Sequence, residues 1–410
     1  SHNADRIAIV DERRKISYSE LAIEIHEIKD QLLNSIQENN VRIIISGKNN
    51  IDFLLLILAF IDIDAEIILL DPKTSLSELN ELRNNIDVNY FIYEDDLFDN
   101  SFSSSNKIQT KTCTYNFTKI SEIDIIPKKT KIYFSSSGST GKPKVFGFTQ
   151  QQLLAQFLNV AMYLKFTESD ESLCPLTITH SHGLQISIPI LLHGGCVHYL
   201  SPENCKPKNI IQYVKQHKIT LLTGVPYQYN LMLNADIVDN SLQSLRLCFC
   251  GSAPMSRHLA VSFFQKYGVR LNQVYGVSEI GPVCFNLDMN NEHFTSVGRV
   301  MSEIEYKIID DSGNEVNDSE EGEFIVRSAF MSAGYINDED ATNSTFINNW
   351  LHTKDIVKTD AENNIYIVGR KSNFINVAGY KIYPIEIEKI LLSMNGIKEA
   401  VVVGVEDGAG

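Results

Sequence analysis

The sequence predicts an α/β protein built on parallel sheets, with antiparallel β structure towards its C-terminal end. Up to about Val297, short β-branched runs alternate with amphipathic stretches, which is the pattern of strand–helix units packed as a parallel sheet. After Val297 the apolar runs become shorter, and polar turns separate them, as is typical of antiparallel strands. A chain of 410 residues has room for two or three domains.

The first part of the chain predicts stacked sheets with helices between them. Strands are predicted for five β-branched runs, namely Ile7 to Val10, Val41 to Ser46, Glu66 to Leu70, Asn89 to Tyr93 and Lys131 to Ser135. Helical spacing predicts helices at Tyr18 to Ser35 and at Gln150 to Leu164. The most apolar stretch, Phe53 to Ile61, is too short to cross a membrane, which takes about 20 apolar residues, so we expect a buried helix or strand. The polar stretch from Asp95 to Thr112 predicts an exposed loop.

The last part of the chain predicts a small β-barrel and then the start of a second domain. The barrel strands are expected at Glu305 to Ile309, Gly322 to Arg327, Trp350 to Val357 and Asn364 to Gly369. From Tyr380 the pattern becomes helical, and Ala400 to Val405 predicts one more strand. An α/β unit that has only begun cannot bury its apolar face, so we expect the sequence to end inside a domain. We therefore expect a large domain at residues 1–370 and, at residues 371–410, a hinge and the incomplete beginning of a smaller α+β domain.

Composition narrows the class of protein. The chain has 36 Lys and Arg against 51 Asp and Glu, and this net charge of −15 argues against a nucleic-acid or anionic-membrane partner. The N-terminus lacks the basic-then-apolar pattern of a secretory signal. The seven cysteines are odd in number and form no CxxC pair, and Cys248 and Cys250 lie in one apolar run that predicts a buried strand. These observations predict a cytoplasmic protein with reduced thiols and no membrane span; they leave the oligomeric state open.

The clearest chemical signal is the loop FSSSGSTGKPK, from Phe134 to Lys144, between two predicted strands. Glycines allow backbone N–H groups to approach an anion, hydroxyls donate hydrogen bonds and lysines neutralise charge, so the loop suits a polyphosphate. It differs from the GxxxxGK[ST] loop of P-loop ATPases because Gly138 and Gly141 are too close and Pro143 takes the Ser/Thr position. A solvated linker is the structural alternative, but linkers rarely lie between two apolar strands.

This loop and three further segments resemble the adenylate-forming enzymes, which comprise acyl- and aryl-CoA ligases, peptide-synthetase adenylation domains and luciferases. Residues Ser136 to Lys144 are similar to the family's [ST]SG[ST]TGxPK loop, and QVYGVSE, Gln273 to Glu279, is similar to NxYGxTE. HTKD, His352 to Asp355, takes the place of TGD, and Gly369 to Glu388 resembles the segment that joins the large and small domains. The resemblance spans nearly the whole chain, from about Asp5, and the motif style is closest to acyl- and aryl-CoA ligases.

The resemblance implies a nucleotide site. Glu279 would be a catalytic residue that binds Mg²⁺, Lys144 would be a catalytic cation, Tyr275 would stack on adenine and Asp355 would accept hydrogen bonds from both ribose hydroxyls. The residues that would bind the phosphates of ATP are Ser136, Ser137, Gly138, Ser139, Thr140, Gly141, Lys142 and Ser278. Those that would bind adenine and ribose are Gly251, Ser252, Ala253, Gln273, Tyr275, Gly276, Asp355 and Arg370.

A second set of residues is implied for the acyl group. PLTITHSHGL, Pro175 to Leu184, matches the region where acyl-CoA ligases carry a gating histidine, and His180 takes that catalytic position. GVPYQY, Gly224 to Tyr229, resembles the segment along the acyl pocket. The residues implied for this pocket are His180, Gly183, Val225, Tyr229 and Gly251.

Two features of this region bear on the substrate. Peptide-synthetase domains usually carry an Asp where this chain has His180, so an amino-acid substrate is disfavoured. No Arg occurs between Arg83 and Arg246, and a second carboxylate on the substrate usually pairs with one, which favours an uncharged aryl or aliphatic tail. His180 and His182 could form an HxH metal pair, but no third ligand is suggested nearby, and a packed His182 is the preferred interpretation.

The activity implied by the resemblance is ATP-dependent activation of a carboxylic acid to acyl-AMP with release of pyrophosphate. The acyl group would then pass to the thiol of CoA or of a carrier-protein phosphopantetheine, after rotation of the small domain about a hinge at Ser372. One alternative is an amino-acid adenylation domain of a peptide synthetase. Another is a degenerate nucleotide-binding module, which is favoured by Lys354 in place of the TGD glycine, by Ser372 at the hinge and by the lack of the family's C-terminal lysine. The sequence does not identify the carboxylate. It also does not distinguish CoA from an acyl or aryl carrier protein as the acceptor.

Overall fold

The computed structural model describes residues 4–36, 38, 40–63, 65–98, 102, 106–123, 125, 130–136, 144–235, 237, 241–288, 293–317, 319–377, 380–392, 394, 397 and 400–405. Within these residues the chain forms ten helices and twenty-three strands. The helices are α1 (Tyr18–Ser35), α2 (Ile51–Ile61), α3 (Leu76–Asn85), α4 (Gln150–Tyr163), α5 (Ser181–Leu192), α6 (Pro207–His217), α7 (Pro226–Leu233), α8 (Arg257–Tyr267), α9 (Glu339–Thr345) and α10 (Pro384–Leu392).

The strands fall into two groups along the chain. The first group is β1 (Ile7–Val10), β2 (Lys15–Ser17), β3 (Val41–Ser46), β4 (Ala65–Leu70), β5 (Tyr90–Glu94), β6 (Asn106–Gln109), β7 (Thr114–Lys119), β8 (Thr130–Ser136), β9 (Lys144–Thr149), β10 (Glu171–Leu173), β11 (Cys196–His198), β12 (Leu221–Gly224), β13 (Leu247–Cys250) and β14 (Asn272–Val277). The second group is β15 (Gly281–Phe285), β16 (Arg299–Val300), β17 (Glu305–Ile309), β18 (Gly322–Arg327), β19 (Phe346–Ile347), β20 (Trp350–Thr359), β21 (Ile365–Arg370), β22 (Ile375–Val377) and β23 (Tyr380–Ile382).

Two large sheets and one smaller sheet form the body of the protein. A seven-stranded sheet has the order β6-β7-β5-β3-β4-β8-β9, and a nine-stranded sheet has the order β16-β15-β14-β13-β12-β10-β11-β1-β2. Both are parallel in the middle and antiparallel at their edges. Strands β17, β18, β19, β20 and β21 form the third sheet, an antiparallel half-barrel. The predicted fold class, α/β with stacked sheets and an attached antiparallel unit, is confirmed.

The two large sheets share one hydrophobic core. Ile43 and Ile67 of the seven-stranded sheet belong to the same buried cluster as Val197 and Val283 of the nine-stranded sheet. Helix α5 is buried along most of its length, and it packs against α4 as well as strands β11 and β15. The mostly apolar sequence of this helix fits its position within the core rather than on the surface.

Local sequence explains where the first helices begin. At the N-terminus of α1, the Ser17 side chain accepts from the Glu20 N–H while Glu20 accepts from the Ser17 N–H, a capping box that stabilises the helix by about 1 kcal/mol. Asn50 caps α2 by accepting from the Phe53 N–H. The buried apolar stretch Phe53 to Ile61 is therefore a helix. No described helix is both long enough and apolar enough to span a membrane.

The structure corrects three predictions. The stretch from Asp95 to Thr112 contains strand β6, which pairs with β7; as an edge strand it buries only Ile108, so its sequence is polar. Tyr380 begins strand β23, which forms a hairpin with β22, and the helix starts only at Pro384. Ala400 to Val405 forms no strand, because the segment pairs with no other strand among the described residues and Val401, Val403 and Val405 are exposed.

Candidate active site

A cavity of about 300 Å³ opens where the nine-stranded sheet meets the half-barrel. Its walls come from the loop after β13, from β14, from β20 and from β21 with the turn that follows it. Seven of the eight residues predicted for adenine and ribose line it, namely Ser252, Ala253, Gln273, Tyr275, Gly276, Asp355 and Arg370. The sequence analysis missed other lining residues, namely Pro254, Val274, Val297, Ile367, Gly369, Asn373 and Ile385.

Parallel pairing explains why one wall forms here. Strands β12, β13 and β14 run parallel, so their carboxyl ends lie at one edge of the sheet, which is where α/β proteins commonly bind ligands. The turn after β13 begins at Gly251 and includes Ser252, whose φ of 65° is in the left-handed region. Chain segments that are far apart in sequence are thereby brought to one cavity.

Asp355 is the best-defined polar group in this cavity. The residue is 5% exposed, and its carboxylate accepts hydrogen bonds from the Tyr275 hydroxyl and from Arg370 Nε, both at 2.7 Å. Asp355 and Arg370 are direct cross-strand partners on β20 and β21. Burial, together with the Asp355 carboxylate, raises the pKa of Tyr275 well above its usual value, so the phenol remains a donor. A carboxylate has about four acceptor positions, which leaves room for further donors from a ligand.

Lys354 replaces the glycine of the TGD pattern inside strand β20, at a point where the pairing of β20 with β18 shifts register. Its φ is 62°, in the left-handed region that glycine adopts without strain. Its N–H donates to Glu323 Oε1 at 3.3 Å, and its carbonyl accepts from the Lys371 N–H at 2.7 Å. These bonds hold a lysine in a conformation that costs about 1–2 kcal/mol.

Gln273 lines the cavity and has a buried acceptor without a partner among the described residues. The residue is 5% exposed, and among the described residues no donor reaches its Oε1 atom. A buried amide oxygen without a partner costs about 1–3 kcal/mol, so its usual explanation is an absent ligand or water. An exocyclic amine on a purine is a donor of the kind that this atom lacks.

A second polar cluster surrounds Glu279, in the turn after β14. Its Oε1 atom accepts from the Tyr335 hydroxyl at 2.6 Å, and its backbone carbonyl accepts from the Ser332 N–H at 2.7 Å. The Lys144 ammonium lies 5.0 Å from the centroid of the Tyr335 ring, within cation–π range. Tyr335 therefore joins two predicted site residues. The sequence analysis missed it because nothing in its local spacing marks it.

The rest of the predicted phosphate site is only partly described. Ser137, Gly138, Ser139, Thr140, Gly141 and Lys142 lie outside the described residues. The loop begins and ends at known points, because Ser136 is the last residue of β8 and pairs with Lys144, the first residue of β9. Ser278 lies in the same turn as Glu279.

The two histidines of the HSH segment have different surroundings. His180 precedes α5 and is exposed, and its Nε2 lies 3.1 Å from Asp71, whose pKa this hydrogen bond lowers. His182 is half-buried, with Nδ1 2.9 Å from the Ser252 hydroxyl and Nε2 3.3 Å from that of Thr223. Burial lowers the pKa of His182 to about 4, so the ring is neutral at physiological pH. His182, which the sequence analysis placed among packed residues, is thus the histidine in contact with the cavity wall. Neither histidine joins a set of three metal-ligating side chains in the described part of the chain.

None of the residues predicted for the acyl pocket lines the 300 Å³ cavity, and three of them, Gly183, Tyr229 and Gly251, are buried. An ideal Cβ on Gly251 would lie 2.9 Å from His182 Cε1, so the glycine permits the ring to approach the backbone. An ideal Cβ on Gly183 would lie 2.4 Å from the Thr177 carbonyl oxygen, so this position also requires glycine. Tyr229 is a core residue, 1% exposed, and its hydroxyl donates to the Phe249 carbonyl at 2.6 Å.

Two further predicted positions lie at the ends of elements. Val225 is the residue that precedes α7, at the carboxyl end of β12. Ser372 is exposed in the turn between β21 and β22, next to the Asn373 N–H, which donates to the Arg370 carbonyl at 2.9 Å.

Comparison with known proteins agrees with this geometry. The family model described as AMP-binding enzyme matches residues 1–336. A 4-coumarate–CoA ligase of Oryza sativa subsp. japonica is 30% identical over 70% of this chain and 54% of its own length. A long-chain-fatty-acid–CoA ligase of Escherichia coli O157:H7 is 29% identical over 70% of this chain and 52% of its own length. The chain thus spans about half the length of these curated relatives.

Two solved structures share the fold over 98% of this chain. ATP-bound MatB from Rhodopseudomonas palustris superposes with a TM-score of 0.84 at 22% identity, over 83% of its own chain. The o-succinylbenzoate CoA synthetase of Bacillus subtilis, in complex with its acyl-adenylate intermediate, superposes with a TM-score of 0.82 at 23% identity, also over 83% of its chain. With the family match over more than three quarters of its length, the chain belongs to the AMP-binding enzyme family.

Proposed function

We propose that this chain binds ATP in the 300 Å³ cavity and activates a carboxylic acid as its acyl adenylate. The observation that carries the proposal is the buried Asp355 carboxylate, which Tyr275 and Arg370 fix in the wall of the cavity that Gln273 also lines. Purine and ribose need this pair of functions, an acceptor for the exocyclic amine and a charged acceptor for two hydroxyls. A nucleotide carries both kinds of donor, the exocyclic amine and the two ribose hydroxyls.

The reaction we propose is attack of a substrate carboxylate oxygen on the α-phosphorus of ATP, which breaks the bond to pyrophosphate. Such a reaction depends on positioning and on charge neutralisation more than on a protein nucleophile. Lys144 supplies one positive charge, and the loop at residues 137–143 carries the hydroxyls and glycines suited to the outer phosphates. Asp355 and Arg370 orient the ribose, and Tyr275 offers an aromatic face to the purine.

Glu279 is the residue we propose to hold Mg²⁺. Tyr335 donates to one carboxylate oxygen, and the carboxylate has further lone pairs for a hard cation. The ion supplies charge neutralisation at the reacting phosphates when it is bound. Tyr335 fixes the orientation of the carboxylate, and its ring holds Lys144 on the same side, so this residue positions both groups.

The acceptor we propose is the thiol of CoA, which attacks the acyl adenylate to give the thioester and AMP. The support is that the curated relatives are named CoA ligases, for 4-coumarate and for long-chain fatty acids. The same names do not favour amino-acid adenylation. We also propose that residues 1–370 are the large domain and that the chain turns into the small domain at Ser372, because β21 ends at Arg370 and an exposed turn follows.

Thermal unfolding with ligands tests the proposal. We expect Mg-ATP to raise the unfolding midpoint, and acyl-sulfamoyl-adenosine mimics of one carboxylate class, aryl, short-chain, long-chain or aminoacyl, to raise it further with increasing concentration. Gln273→Leu should reduce the response to ATP, whereas Gln243→Leu, which alters a bond to the Tyr267 carbonyl elsewhere, should not. A protein that responds to no nucleotide or mimic would refute the ATP site and leave a degenerate scaffold. Preference for an aminoacyl mimic would instead establish the peptide-synthetase alternative.

A further inference from the structure

A polar cluster lies on the nine-stranded sheet away from the nucleotide cavity. It consists of Glu171, Cys196 and His198, whose ligand atoms all lie within 4.8 Å of one another. Cys196 and His198 are separated by one residue on β11, so their side chains project from the same face of the sheet. Glu171 is the direct neighbour of Cys196 on the parallel strand β10. Sheet geometry therefore brings a thiol, an imidazole and a carboxylate together.

The three ligand atoms converge on one side of the His198 ring. His198 Nε2 lies 2.7 Å from Glu171 Oε2 and 3.6 Å from Cys196 Sγ. A tetrahedral zinc ion bound at about 2.1 Å from nitrogen and about 2.3 Å from sulfur holds these two atoms about 3.6 Å apart. The observed N–S separation matches this value. The oxygen must retreat by about 0.7 Å, which the glutamate can do because its side chain is 34% exposed.

The other side of the His198 ring has the partner that a metal ligand needs. Its Nδ1 lies 3.0 Å from the Tyr213 hydroxyl, contributed by α6. With a proton on Nδ1 that donates to Tyr213, the Nε2 lone pair faces Glu171 and Cys196. Metal-bound histidines are usually held by such a bond through the second nitrogen. His217 stacks on Tyr213 with ring centroids 4.0 Å apart, which fixes the tyrosine in turn.

We propose that Glu171, Cys196 and His198 bind one zinc ion, with water as the fourth ligand. A thiolate, a neutral imidazole and a carboxylate are ordinary zinc ligands. The ion ties β10 to β11, and through Tyr213 it ties both strands to α6. Glu171 and Cys196 begin their strands, whereas the nucleotide cavity is at the carboxyl ends of parallel strands in the same sheet. The proposed zinc site is therefore separate from the nucleotide cavity and independent of the proposed adenylation.

Metal binding can be measured on the whole chain without any assay of activity. Protein dialysed against a chelator and then against buffer is titrated with Zn²⁺, and bound metal is counted after removal of the excess. We expect one Zn²⁺ per chain. With Co²⁺ as the probe, we expect an ultraviolet thiolate-to-metal charge-transfer band and the visible spectrum of tetrahedral cobalt, both of which Zn²⁺ should abolish. Wild-type protein that shows neither stoichiometric zinc nor the thiolate band would overturn the proposal.

Variants locate the ion. Cys196→Ser should abolish the thiolate band and the tight zinc, whereas Cys205→Ser, a half-buried cysteine near the Leu200 carbonyl, should change neither. His293→Gln is a second control, because His293 belongs to the other described group of potential ligands. Zinc retained by Cys196→Ser, or lost in His293→Gln alone, would contradict the assignment.

A milder variant serves in case the ligand variants fail to fold. Tyr213→Phe leaves all three ligands in place and removes only the hydroxyl that orients His198. We expect it to weaken zinc binding about 10- to 100-fold, as is usual when the support of a ligand is removed. Zinc should also raise the unfolding midpoint less at a given concentration. Unchanged zinc affinity in a folded Tyr213→Phe protein would count against the proposal.

Discussion

Replacement of Asp355 by Asn should weaken nucleotide binding at least as much as it destabilises the protein. The carboxylate accepts from Tyr275 and Arg370, but Arg370 has a 58% exposed side chain, so solvent screens that pair. We expect the free energy of unfolding without ligand to fall by about 1–2 kcal/mol. Two ribose hydroxyls would each lose a charged acceptor, at about 1 kcal/mol apiece, for a total of about 2 kcal/mol. That total corresponds to a dissociation constant about 30-fold higher.

Ligand-dependent stabilisation separates the two effects. At an ATP concentration about 100 times the wild-type dissociation constant, binding adds about 2.7 kcal/mol to the stability of the wild type and about 0.9 kcal/mol to that of Asp355→Asn. Asp360→Asn is the matched control, since Asp360 accepts from Asn364 and Tyr366 on the half-barrel but does not line the cavity. This control should lose stability and keep the full response to ATP. An Asp355→Asn protein with the wild-type response would refute the ribose assignment.

Three further predictions concern other contacts, those of Tyr335, Gly276 and His182. Tyr335→Phe removes the donor to Glu279 and should reduce the Mg²⁺-dependent part of the ATP stabilisation by about 1 kcal/mol. This part is the difference between the unfolding free energies measured with Mg²⁺ and with chelator. An unchanged difference would contradict the positioning role. Gly276→Ala would place a Cβ 2.4 Å from the Gly281 carbonyl oxygen. We expect it to destabilise the protein by about 1–3 kcal/mol or more and to displace the turn that carries Glu279. Wild-type stability would show that the turn can relax. The pKa of His182 is lowered to about 4, from about 6.5 in the unfolded chain. Between these pH values the unfolded state binds a proton that the folded state does not. The free energy of unfolding should therefore fall by about 3 kcal/mol as the pH drops from 6.5 to 4. His182→Gln should lack this component in denaturant titrations at the two pH values, and an identical pH dependence in the variant would exclude it.

Much of the fold could be predicted because local patterns agree with the tertiary structure. The runs Ile7 to Val10 and Val41 to Ser46 are strands with the predicted bounds, and Tyr18 to Ser35 is a helix that its capping box starts at the predicted residue. The segment Ala400 to Val405 shows the limit of such patterns. A run of valines favours a strand, but a strand exists only where another strand accepts its hydrogen bonds, and sequence spacing does not reveal that partner.

In the site as well, residues within a local motif could be predicted, whereas residues whose roles depend on contacts distant in sequence could not. Motif positions such as Tyr275 and Asp355 could be predicted, and the structure brings them into contact. Tyr335 could not be, because its role depends on a hydrogen bond to a residue 56 positions away. The conformation of Lys354 was equally hidden: its unfavourable φ is stabilised by bonds to Glu323 and Lys371 that local propensity does not represent.

The bond between Tyr275 and Asp355 has a consequence for how the protein opens. It joins β14 of the nine-stranded sheet to β20 of the half-barrel, and the Ile365 N–H donates to the Gly298 carbonyl at 2.9 Å close by. A small antiparallel sheet on its own would exchange its amide hydrogens through frequent local opening. Because these bonds cross the boundary, the half-barrel can open only by uncovering a buried phenol and a buried carboxylate, so the amides of β20 and β21 should exchange in the same cooperative unit as those of β14.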